Sequence, residues 1–75
     1  MPIAYMLVTT EEFDPMLLKV LRKIKGVEEA YPTYGVYDII IRTKADTMDE
    51  LKKIHDKIRK IGKIRQTQTM IAHEG

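Results

Sequence analysis

The chain is a strand, a helix and a strand, followed by the same three elements in the same order. Ile3 to Thr9 reads as the first strand, and Asp14 with Pro15 opens a helix as an N-cap followed by proline at the first helical position. Leu17, Val20, Leu21 and Ile24 fall at helical spacing, with Lys19, Arg22 and Lys23 on the other face, and Gly26 ends the helix. Val27 to Thr33 is the second strand, confined to a sheet edge by Pro32, and a tight connection at Tyr34 and Gly35 leads to a third strand, Val36 to Thr43. Thr47 and Glu50 form a capping box for a second helix, whose inner stripe is Leu51, Ile54, Ile58 and Ile61 and which Gly62 closes. Ile64 to Ala72 is the last strand, and the residues from His73 onward read as a frayed end. Arg22-Lys23-Ile24-Lys25-Gly26 is echoed by Arg59-Lys60-Ile61-Gly62, so the repeat is visible in the letters as well as in the pattern.

That order, with right-handed crossovers, predicts an α+β fold: a ferredoxin-like βαββαβ sandwich with a four-stranded antiparallel sheet and two helices on one face. The first and third strands become the central pair. Proline in the second strand and the polar Gln66-Thr67-Gln68-Thr69 run in the last agree with edge positions. No linker or low-complexity tract interrupts residues 1–75, which form a single domain.

Period-two alternation then raises a difficulty. Ala4, Met6 and Val8 oppose Ile3, Tyr5 and Leu7; Val36 and Ile40 oppose Tyr37, Ile39 and Ile41. Both central strands are apolar on both faces, whereas two helices cover one. Burying about six large side chains at roughly 1.5–3 kcal/mol each outweighs most association costs. The uncovered sheet faces are therefore expected to pair in a homodimer. The size agrees: a chain this short buries only about 60% of its unfolded surface and usually gains support from disulfides, metals or partner subunits.

The composition removes several classes. There is no cysteine, hence no disulfide or thiolate metal site, and the two histidines, His55 and His73, are too far apart for a local ligand motif. No metal or cofactor is expected. No apolar run approaches the roughly 18 residues of a membrane span and no signal peptide opens the chain, so a cytoplasmic protein with no membrane contact is the expectation. Nucleophile triads and phosphate-binding loops are absent from the sequence, and His55, beside the second helix's stripe, reads as a rim or interface residue; an enzyme is not expected. Lys52, Lys53, Lys57, Arg59, Lys60, Lys63 and Arg65 make the second half basic, but 13 Lys and Arg against 11 Asp and Glu leave a net charge of only +2. An RNA-binding sheet needs exposed stacking rings on its central strands; Tyr5 and Tyr37 are the only ones there and aliphatic neighbours crowd them, so solvated helix faces account for the lysines better.

Small-molecule binding remains. Tyr34, Gly35, Val36, Tyr37 and Asp38 place a glycine, two rings and one carboxylate before the apolar run Ile39-Ile40-Ile41. A carboxylate there is costly unless something positive meets it, and an amino acid's ammonium group would do so, with backbone N–H groups near Gly35 for its carboxylate. Thr67 and Thr69 share one face of the last strand and offer hydroxyls, with Gln66 nearby on the other. The plainer reading pairs Asp38 with a lysine or arginine of a neighbouring strand and leaves the threonines as edge-strand residues.

Gly35-Val36-Tyr37-Asp38 with its aliphatic strand resembles the G-x-Y-D signature of the effector domain of the Lrp/AsnC transcriptional regulators. Ile64 to Ile71 resembles that family's V-x-x-T-x-T-x-I ending, and Ala4-Tyr5-Met6-Leu7-Val8 its opening strand. The resemblance covers almost the whole chain and implies the stand-alone form of the domain known as RAM, without the helix-turn-helix and so without direct DNA binding. It implies dimers assembling into octamers or related rings, with amino-acid effectors held between dimers. By position it nominates Gly35, Tyr37, Asp38, Thr67 and Thr69, while Tyr34 stands where a small residue is common and narrows the mouth of such a site. Arg65 and Gln66 also depart from the commonest pattern. The function implied is amino-acid sensing, acting alone or by co-assembly with full-length regulators. A ligand-free adaptor, or a small dimeric enzyme of the same fold, is the competing expectation.

Overall fold

In the computed structural model, which describes residues 2–72, six elements follow in the expected order: β1 (Ile3–Thr10), α1 (Pro15–Lys23), β2 (Val27–Pro32), β3 (Ile39–Lys44), α2 (Met48–Arg59) and β4 (Ile64–Ala72). The sheet order is β2-β3-β1-β4 and every pairing is antiparallel, so β1 and β3 are central and β2 and β4 form the edges. This is the ferredoxin-like sandwich. The reading of a frayed end at His73 falls outside the described residues.

Both helices start where their caps put them. The Asp14 side chain accepts from the Met16 N–H at 2.9 Å, and Thr47 Oγ1 accepts from the Glu50 N–H at 3.2 Å. Glu50 reaches back to the Asp46 N–H, one residue ahead of the cap position itself, so the box is displaced by one residue. Met6, Val8, Leu21, Ile39, Ile41 and Ile58 are fully buried between the sheet and the helices, and Ala4, Ala45 and Leu51 extend the core at one end.

Three expectations need correction. The third strand begins at Ile39, not Val36. Thr33 N–H donates to the Asp38 carbonyl at 2.8 Å and closes a loop over the intervening residues, which leaves Val36 83% exposed. On β3 the outward set is then Ile40, Arg42 and Lys44, more polar than anticipated. Secondly, Val20 is exposed and Leu18 buried. At 100° per residue the inward arc of α1 is centred on Leu17, Leu18 and Leu21, and Val20 lies beyond its edge.

The third correction concerns His55, which is a core residue and not a rim one, only 4% exposed. It falls on the inward arc between Leu51 and Ile58. Its Nε2 lies 2.8 Å from Thr43 Oγ1, itself fully buried, with the proton on one partner or the other according to the ring tautomer. Desolvation pushes the His55 pKa below its ordinary value, with Arg59 adding to the shift. The unfolded chain then binds a proton that the folded chain resists, so the stability that this group contributes is present above the ordinary histidine pKa and lost as pH falls below it. Urea midpoints are expected to drop between pH 7.5 and about 5.5, within the ordinary histidine titration range, and a His55→Gln variant should flatten that dependence.

Candidate functional site

Gly35 sits at φ +111° with open space where a Cβ would be, so backbone conformation alone selects glycine there. The turn it makes is tied by the Thr33 hydroxyl, which donates to the Tyr37 carbonyl at 2.6 Å. Asp38 then joins β3 to the end of β1: its N–H donates to the Val8 carbonyl at 2.8 Å. Its Oδ2 accepts from the Thr10 N–H at 2.7 Å and from the Thr10 hydroxyl at 3.2 Å. No lysine or arginine meets it among the described residues, where the ion pairs are Arg59–Asp56 and Lys63–Asp14. Among the described residues Asp38 therefore meets no cation, and its Oδ1 accepts no hydrogen bond.

Beside it lies a cleft of about 440 Å³ lined by Phe13, Pro32, Thr33, Tyr34 and Asp38. Two rings and a proline supply an apolar wall around one carboxylate. Of the residues expected here, the structure brings Tyr34, Gly35, Tyr37 and Asp38 into one loop, with Tyr34 and Asp38 on the lining itself. Phe13, the sole phenylalanine, was not anticipated. Its place directly before the N-cap Asp14 is the signal that would have found it, since an apolar residue there fixes how the chain enters the helix. The Lys63 ammonium bonds the Asp14 carboxylate and holds that entry against the start of β4. The bond keeps the Asp14 pKa below its ordinary value and raises that of Lys63.

Thr67 and Thr69 stand apart from this cleft within the chain. Val8 of β1 pairs with Ile39 on one side and Thr67 on the other, so a whole strand intervenes. Both hydroxyls accept from the Arg59 guanidinium of α2, at 3.4 Å each. Gln66 is exposed, its N–H donating to Thr9 Oγ1 at 3.1 Å. One copy thus offers two separate sets of groups, an acidic apolar cleft and a hydroxyl edge.

The cleft is concave and mostly apolar with one carboxylate, the kind of surface that small ligands occupy. The chain belongs to the Lrp/AsnC ligand binding domain family, whose model matches residues 4–74. It is 37% identical to FFRP-DM1, covering 97% of this chain and 100% of that one at a TM-score of 0.89. Against AsnC of E. coli the identity is 27%, with 99% of this chain covering 52% of that protein at a TM-score of 0.86. The feast or famine regulatory protein of M. tuberculosis, solved with L-methionine, shares the fold at 18% identity and a TM-score of 0.82, over 100% of this chain and 52% of that one. No curated protein matches the sequence significantly. None of the described helices is long and apolar enough to cross a membrane.

Proposed function

We propose that this domain binds a free amino acid in the Asp38 cleft and couples that binding to the assembly of its own copies. The observation that carries the reading is the uncompensated Asp38 carboxylate at the edge of an apolar cleft of amino-acid size. Asp38 Oδ1 takes the ligand's ammonium group, backbone N–H groups near Gly35 take its carboxylate, and Phe13, Pro32 and Tyr34 surround an apolar side chain. Tyr37 braces the loop through its carbonyl. Thr67 and Thr69, with Gln66, complete the site from a neighbouring copy. Family membership and the methionine-bound relative of the same fold support this reading.

Assembly begins at the uncovered sheet face. Ile3, Tyr5, Leu7, Ile40 and Met70 lie on it, and Tyr5 and Met70 remain exposed. A second sheet laid across this face removes that apolar surface from water. Dimers then associate further, toward an octamer or related ring. A ligand lodged between copies stabilises that state, by about 2.7 kcal/mol at 100-fold excess over its Kd. Full-length Lrp/AsnC regulators are the natural partners for co-assembly.

Titration calorimetry with the twenty amino acids, followed by light scattering, tests the proposal. At least one amino acid is expected to bind and to raise the scattering mass. Asp38→Asn retains an acceptor for Thr10 and should fold, yet weaken binding by at least about tenfold through loss of the charge. Absence of heat with all twenty would sink the sensor reading.

A further inference from the structure

A second cleft, of about 390 Å³, lies at the opposite end of β3 from Asp38. We propose that it binds the phosphate chain of a small polyphosphorylated compound, of the class of inorganic tripolyphosphate or a nucleoside triphosphate. Four lysines from three elements line it: Lys25 from the turn after α1, Lys44 from the end of β3, and Lys53 and Lys57 one turn apart on α2. None of the four is ion-paired among the described residues. Asp46 and Glu50 also line the cleft. Glu50 accepts from the Asp46 N–H at 3.3 Å, and the lining carries four lysines against these two carboxylates. The excess is positive, over an apolar floor of Ile54 and Ala45 that concentrates its field.

The backbone holds these lysines together. Gly26 has φ +99°, and a Cβ there would collide with Ile54 Cδ1. Its carbonyl accepts from the Lys44 N–H at 2.9 Å. The absent side chain lets the turn close on α2, which brings Lys25 into the same cleft as Lys53 and Lys57. The volume is that of a small-metabolite site, and lysines bind phosphate as point charges without demanding one geometry. Among the described residues no aromatic side chain lines the cleft, so a base has nothing there to stack on. The phosphates are read and the base is not.

Calorimetry with tripolyphosphate and with ATP, near physiological ionic strength, tests this on the wild-type protein and two double variants. Lys53→Gln with Lys57→Gln removes two cleft lysines; Lys52→Gln with Lys60→Gln removes the same charge from elsewhere on the same helix and its cap. Both ligands are expected to bind within about threefold of each other, and the cleft variant to lose at least about tenfold where the control loses under about twofold. Equal losses in the two variants would reveal diffuse attraction and overturn the proposal. So would ATP binding without tripolyphosphate binding, or no binding of either. A short RNA that outcompetes ATP and weakens equally in both variants would also overturn it, in favour of non-specific nucleic-acid contact.

Discussion

Leu21→Ala is expected to destabilise the domain by about 2–5 kcal/mol, the range for emptying a fully buried leucine site. Leu21 is completely buried and packs in the same cluster as Met6, Val8, Ile39, Ile41 and Ile58. α1 has only nine residues, and Leu17 and Leu18, one turn before Leu21, are already packed in the same core. A chain of this length carries roughly 4–11 kcal/mol in total, which makes the loss a large fraction of the whole. Thermal unfolding should show a midpoint lower by at least about 10 °C. Val20→Ala, one residue earlier and half exposed, should move it little. Similar losses at both positions would mean that the helix face is assigned wrongly.

Gly26→Val is the second large effect, at roughly 2–5 kcal/mol. A positive φ strains any L-residue by about 1–2 kcal/mol, most of all a β-branched one, and overpacking adds about 1–3 kcal/mol. The Ile54 tip can swing away, but the Lys44 carbonyl, 3.3 Å from the added Cβ, belongs to backbone bonded to Gly26 itself. Two other glycines separate the causes. Gly35→Ala meets open space at φ +111° and should show the backbone strain alone. Gly62→Ala meets open space with no positive φ and should be neutral or stabilise slightly. Chemical denaturation of the three variants gives that order directly.

The elements and their order were legible because each helix announces its start with a cap and each strand pairs a period-two pattern with turn residues. The strand boundary at Val36 was not legible, because an apolar β-branched residue next to Tyr37 continues the alternation of Ile39 to Ile41 by chance. What decides the matter is Thr33 bonding across to Asp38, a contact between residues that local pattern cannot pair. His55 was misplaced for a related reason. A polar residue on a stripe reads as its margin until the buried hydroxyl of Thr43, twelve residues away, is seen to satisfy it. For the cleft, the loop from Tyr34 to Asp38 was readable as a motif. Phe13 and Thr10 were not, since they reach Asp38 only after β1 and β3 are laid side by side.

The register of the outer strand has one more consequence. Ile3 is paired with Ala72, so the two ends of the sheet's polypeptide leave from a single corner, one strand spacing apart. A short tether could join them, and a circularly permuted form opened in the turn between α2 and β4 would keep the whole hydrogen-bonded ladder. Ile3 and Ala72 lie at the opposite end of β1 from Val8, whose carbonyl takes the Asp38 N–H, so this corner stands well away from Asp38.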